Sequence, residues 1–476
     1  MVATLIGLAL VGCRSPDPVP SSHDSASDGC AWGEVVAVPS PLDPHAAVVT
    51  ATPRRAGLLT AGPRSGGWAE AAETVTLVAR DVAPSDDLAV ALDGVTCLTG
   101  LVLPDPGTPW AEVDDRLPEG LYCLDVSRER ATYTGSDERF DCYDADGRPV
   151  MSLGWPDGAT MDVPTFLDDG RFLALRSRRR LGLFDETLGE DGFLVDASVG
   201  DLDTRYVHDS LDRHELLPIA SGPWAGAIAM LTQVTDQVGD RSIMTNGAIV
   251  WSPTEGVLYD ASLHGALGDD RPIDGLSYDR EPLDGSYDAD WTHANGLAVH
   301  DGDLWMNLRH HDWLVAIDPD TDTVVTKVGY EGDLALVDDD GGPLPAAEWM
   351  FHAHAPLALG DDRFLLYDNG NVRPGTTLED VTTRVLELQV DRSAGTAVPT
   401  VRYHPQGDEA FFANTQGNAV PLDDGALAVL FPGGPDGPEV RVVGPDGVRL
   451  GTLTATGSAP AYRVTVWRNL PGDRMD

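Results

Sequence analysis

The residues best suited to chemistry in this chain are histidines and arginines gathered in its second half. Of twelve histidines, seven lie from His264 to His354. They fall in or between segments that read DWTHANG (290–296), NLRHHDWLVAID (307–318) and FHAHAP (351–356), and LYDNGNVR (366–373) follows. An imidazole offers a lone pair and changes charge near neutral pH, so it serves as a nucleophile or proton carrier. A guanidinium offers a planar fork of donors to an oxyanion. The imidazoles of these segments are therefore candidates for nucleophile or acid, and their arginines for holding an anion. His310 and His311 are neighbours at the end of an expected strand, so the period of two sends at most one of them to a shared channel. Each of these residues also has a plainer reading, capping a strand end or pairing with one of the many carboxylates. Tyr462 and Arg463 near the C-terminus read as packing residues.

Groups so far apart in sequence meet only if repeated elements deliver them to one place. Acidic turns introduce strand-like runs at DADGRPV (144–150), DDGRFLAL (168–175), DGDLWMNL (301–308), GDDRFLLYD (360–368) and DDGALAVLF (423–431). The last three are about 60 residues apart, a period that belongs to stacked or ringed supersecondary units. About 350 residues at that period predict an all-β, six-bladed β-propeller over 119–476, whose inner strands line a central channel. Shorter alternating runs between Pro, Gly and Asp turns predict a small N-terminal β-sandwich over 30–118. Long helices are not expected, and the stretch from Trp224 to Val234 reads as a buried strand.

Composition narrows the partners. Against 77 acidic residues stand 32 basic ones, a net charge of −45 that repels phosphate backbones and anionic lipid, so nucleic acid is not an expected partner. The opening MVATLIGLALVGC looks like a lipobox ending at Cys13, and residues 14–29 form a Pro, Ser and Asp tether. This predicts an exported lipoprotein, periplasmic or at the cell surface, that touches membrane only through its N-terminal lipid. The four remaining cysteines, Cys30, Cys97, Cys123 and Cys142, suit two disulfides in an exported chain. Three connectivities are open, and pairing Cys30 with Cys97 and Cys123 with Cys142 closes two separate local loops.

The four histidine-region segments resemble, in order, the D-W-x-H-x-N segment, the S-x-R strand pair ending in I-D, the Q-H-x-A segment and the F-D-N-G segment of the bacterial arylsulfate sulfotransferase family. That resemblance implies a sulfuryl group moved from an aryl sulfate to a phenolic acceptor through a histidine, with no nucleotide donor, no cofactor and no metal. It places His293 on the histidine of D-W-x-H, His354 on that of Q-H-x-A and Arg373 on the arginine after D-N-G; it also sets His214 in RHELLPI on a family H-H-E-I segment and Arg309 on a family arginine, expected to help bind substrate with Asn295 and Asn369. It also implies a nucleophilic histidine in the following blade, yet no histidine follows His404. His293, His354, His404 or water would then attack sulfur. Two other readings accompany this one. A surface-anchored propeller could bind such ligands without turnover. HANGLAV also resembles a segment of the lactonase propellers, in which Asn295 and carboxylates would hold a divalent metal.

Overall fold

The computed structural model describes residues 32–467 with gaps, the longest at 178–190 and 268–288, and side chains chiefly at 111–125, 140–147 and 211–466. Cys13, the tether and Cys30 lie outside the described residues, as does the side chain of Cys97. The chain is all-β: its one α-helix among the described residues is Leu263–Leu267. No helix there is long and apolar enough to cross a membrane.

Residues 32–102 supply two small antiparallel sheets, one of three strands and one of four. From Thr160 onward, consecutive strands fold up in fours. Thr160–Phe166 opens the first such blade, Leu211–Pro218 the second, Ala294–His300 the third, His354–Gly360 the fourth and Ala419–Pro421 the fifth. The structure thus has five blades of consecutive strands, not the expected six. The remaining four-stranded sheet is composite: Leu121–Ser127, Glu138–Tyr143 and Pro149–Gly154 are joined by the last strand, Ala461–Trp467. A sequence period registers units made from one contiguous stretch, so it is blind to a sheet made from both ends of the chain. Glu112–Asp114, which the sequence places ahead of the propeller, pairs with Arg449–Thr454 of the fifth blade.

The apolar runs and acidic turns have distinct jobs. Strands covered on both faces read as unbroken apolar runs, and Leu427–Phe431 is buried at every position. Trp305 in one blade packs on Phe364 in the next with ring centroids 4.4 Å apart. Burying each such side chain contributes roughly 1.5–3 kcal/mol. The turns that join strands at Asp301-Gly302 and Asp361-Asp362 have positive φ at both central residues, the tight hairpin geometry that favours Asp, Asn and Gly. Cys123 and Cys142 face each other across neighbouring strands and form a disulfide.

At the inner ends of the third and fourth blades the backbones approach closely. A Cβ on Gly296 would stand 2.3 Å from Pro356 Cδ, so only glycine lets the HANG segment lie against the HAHAP segment. That contact carries the two histidine-bearing segments to one place.

Candidate functional site

The DWTHAN segment is held from both sides. Trp291 N donates to Met244 O of the second blade at 2.9 Å, while Arg309 N and His310 N donate back to His293 O and Thr292 O. Asn246, fully buried in the strand Arg241–Ser252, is the keystone. Its Oδ1 accepts from Thr292 Oγ1 (2.9 Å) and Ala294 N (2.7 Å), and its Nδ2 donates to Asp212 Oδ2 (3.0 Å) and Thr232 O (3.2 Å). One amide thus fixes two blades and the loop between them. His293 takes up a left-handed backbone there (φ 47°), as does His352 in the neighbouring segment (φ 50°). A non-glycine residue in that region costs on the order of 1–3 kcal/mol and persists only where its surroundings overdetermine it.

The fixed loops gather four imidazoles. His293 lies 4.7 Å from His310 and 5.4 Å from His214 between ring centroids, and His310 lies 6.2 Å from His352. His293 Nδ1 is hydrogen-bonded to Asp290 Oδ2 and His214 Nδ1 to Asp212 Oδ1. His310 Nδ1 donates to the Asp290 carbonyl at 2.7 Å. Arg309 reaches into the group, its Nη1 3.1 Å from His310 Nε2 and its Nη2 donating to Asn414 O at 3.1 Å. At 29% exposure the His293 ring is the most open of the two carboxylate-paired imidazoles, so a ligand reaches it first.

Charge states follow from burial and from Arg309. Burial and then the neighbouring His293 bring the His310 imidazole down to about 4, Asp290 pulling the other way. Burial, Arg309 and His310 bring His352 down to about 2. Burial pushes the Asp212 and Asp290 carboxyls up, but their histidine partners outweigh it and hold both below the usual carboxylate range.

His354 adjoins this group but is locked. Its Nδ1 donates to Asn369 Oδ1 at 2.6 Å and its Nε2 accepts from Gln416 N at 3.2 Å. Asn369 Nδ2 also ties Ala413 O and Gln416 O, and Asn295 is spent on Ala353 O and Asn307. Burial first and Arg309 second keep the His354 imidazole well below its ordinary value.

The buried neutral histidines make stability fall in acid. Unfolded histidine takes up a proton below about pH 6.5, and His352 and His354 in the fold do not. Stability is therefore complete above that pH and declines below it, each residue adding a slope of about 1.4 kcal/mol per pH unit. Asp212 and Asp290 contribute stability that is lost only as pH falls from the unfolded carboxylate range, about 4, through their lowered values, outside this window. The urea midpoint is expected to drop markedly between pH 7 and pH 5, and an unchanged midpoint would contradict these assignments.

Other expected residues lie elsewhere. Arg373 donates to Asp368 Oδ2 (2.7 Å), Ala347 O (2.9 Å) and Trp349 O (3.4 Å). His404 bonds Thr382 on the exposed side of that same region. His310 and His311 belong to a 3-10 turn, Arg309–His311, rather than a strand. His310 still joins the group alone, since His311 is wedged against Trp291 and Trp313. Arg463 does more than pack: its Nη2 binds Glu215 Oε2 (3.1 Å), His214 O (3.2 Å) and Asn295 O (2.9 Å), linking the closing strand to two blades. Sequence reasoning missed Asp212, Asn246 and His352. The one available signal was Asn246-Gly247, polar and small residues inside an apolar strand run.

Residues 199–436 match the family model described as Arylsulfotransferase (ASST). No curated protein matches the chain. Among solved structures, a Bacteroides caccae protein of unknown function is 10% identical, covering 74% of this chain and 100% of its own, with a TM-score of 0.41. A Synechocystis apocarotenoid oxygenase is 10% identical, covering 76% and 95%, with a TM-score of 0.37. Likenesses of that size say nothing about activity. The family match spans half of the chain and takes in every member of the imidazole group, so the chain belongs to the arylsulfotransferase family.

Proposed function

We propose that this protein transfers a sulfuryl group from an aryl sulfate to a phenol, with His293 as the nucleophile. The observation that carries this reading is the Asp290–His293 couple, set on a left-handed loop beside Arg309 with its ring partly open. Asp290 holds the Nδ1 proton and thereby leaves the lone pair on Nε2, which attacks sulfur. The S–N bond forms as the S–O bond to the aryl group breaks. His214, paired with Asp212, gives a proton to the leaving phenolate. In the second half-reaction the acceptor phenol oxygen attacks sulfur, the S–N bond breaks, and His214 recovers a proton from that phenol. Arg309 is assigned to the sulfuryl oxygens in place of Arg373, whose guanidinium is already taken up by Asp368 and two carbonyls. His354 is assigned to positioning, because both its ring nitrogens are engaged.

Release of 4-nitrophenol from 4-nitrophenyl sulfate tests this directly. Release that rises with added phenol and yields the sulfated acceptor is expected. Release indifferent to acceptor would make the protein a hydrolase, and none at all would make it a binding propeller.

Export and lipidation at Cys13 belong to the same proposal. Support comes from the LVGC segment and from the Cys123–Cys142 disulfide, since disulfides persist in oxidising compartments. A labelled fatty acid should enter the wild-type protein and not Cys13→Ala.

A further inference from the structure

The imidazole group contains a carboxylate oxygen that sulfuryl transfer does not use. Asp290 is nine-tenths buried; its Oδ2 serves His293, but its Oδ1 has no hydrogen-bond partner among the described residues and lies 4.0 Å from His310 Nδ1. An unpartnered carboxylate oxygen in the interior costs free energy unless a cation or donor meets it. Asp290, His293 and His310 each place one ligand atom within 4.8 Å of the others. His214 adds a third imidazole beside His293. The Nδ1 atoms of all three rings are tied to a carboxylate or carbonyl, which fixes the tautomer and leaves Nε2 as the lone-pair donor. This tethering is how proteins orient histidines toward a metal.

We infer that the Nε2 atoms of His293, His310 and His214 form a binding site for one divalent cation of the zinc type, with Asp290 and Asp212 orienting the rings and balancing the charge. A set of imidazoles suits zinc and its borderline neighbours, whereas calcium and magnesium require oxygens that this group does not offer. Arg309 is the resident competitor, because its guanidinium stands 3.1 Å from His310 Nε2, where the metal would draw its lone pair. Metal binding displaces that guanidinium. It also takes the His293 lone pair, so metal and aryl sulfate exclude each other. The binding claim stands on geometry alone; the exclusion claim rests on the sulfuryl-transfer reading.

Calorimetric titration of the chelator-treated full chain with zinc chloride tests the site. The expected result is one site per chain that is lost in His293→Ala and in His310→Gln and kept in His300→Gln, whose ring pairs with Asp362 at a distant hairpin. Arg309→Met should tighten zinc binding about tenfold or more, which a merely structural arginine would not do. Calcium should not occupy the site. Equal zinc binding by wild type and His293→Ala, or no binding by the wild type, would overturn the inference, whatever the activity. If zinc binds as expected, 4-nitrophenyl sulfate turnover should fall in step with occupancy. Full turnover by the zinc-loaded protein would overturn the exclusion and leave the site itself standing.

Discussion

Replacing His293 with alanine is expected to lower the turnover number for aryl sulfate by about 10⁴-fold or more, as loss of a covalent nucleophile does in other enzymes. At 1.36 kcal/mol per tenfold, that is more than about 5 kcal/mol of transition-state stabilisation. The substrate's KM should change little, because Arg309 remains to hold the sulfate. Asp290→Asn is the companion variant. It keeps the shape of the side chain but removes the charge that settles the His293 proton on Nδ1, and a loss of about 10²–10⁴-fold in turnover is expected. Arg309→Met should instead raise KM. Steady-state kinetics of the three variants separate these roles. A His293→Ala protein with more than a tenth of wild-type turnover would contradict the assignment.

The second large effect concerns stability. Asp368 is fully buried, and its Oδ2 accepts from Arg373 Nη2 and Arg384 Nε, both at 2.7 Å, while its Oδ1 accepts from Phe351 N at 2.9 Å. Asp368→Ala strands two buried guanidinium groups in part, since Arg384 keeps Glu348 at 2.9 Å and Arg373 keeps only carbonyls. Breaking a buried pair by removing one partner costs about 3–5 kcal/mol, and a denaturant midpoint lowered to that extent is expected. Arg373→Ala should likewise destabilise, with the KM for 4-nitrophenyl sulfate unchanged in the protein that remains folded. A raised KM with unaltered stability would return Arg373 to the sulfate-binding role that sequence resemblance suggested.

How far the sequence could be read depends on how local each cause is. The paired positive-φ turns at Asp301-Gly302 and Asp361-Asp362 were legible because Asp and Gly accept that backbone at small cost. The DWTHAN segment was legible because it carries a recognisable set of residues at fixed spacing. The role of His354 was not, since its locking depends on Asn369 and on the backbone of Gln416, 62 residues away. Asn246 was invisible for the same reason, its amide bonding Asp212 and Thr232 in its own blade and Thr292 and Ala294 at the start of the next. The closing strand was hidden by distance: Tyr462 N bonds Asp125 across 337 residues of sequence. Arg309–His311 reads as the end of a strand by period, yet the backbone bonds to Thr292 and His293 favour a 3-10 turn. Arg373 is ambiguous by sequence, because its fork matches an external sulfate as well as it matches Asp368 inside the fold.

The most direct test of the central claim is the intact mass of the protein after brief exposure to 4-nitrophenyl sulfate without acceptor. The account predicts a single added sulfuryl group, mapped by peptide sequencing to His293, absent from His293→Ala and discharged when phenol is added. A protein that turns over with no adduct, or with the adduct on His354 or any other residue, would contradict it.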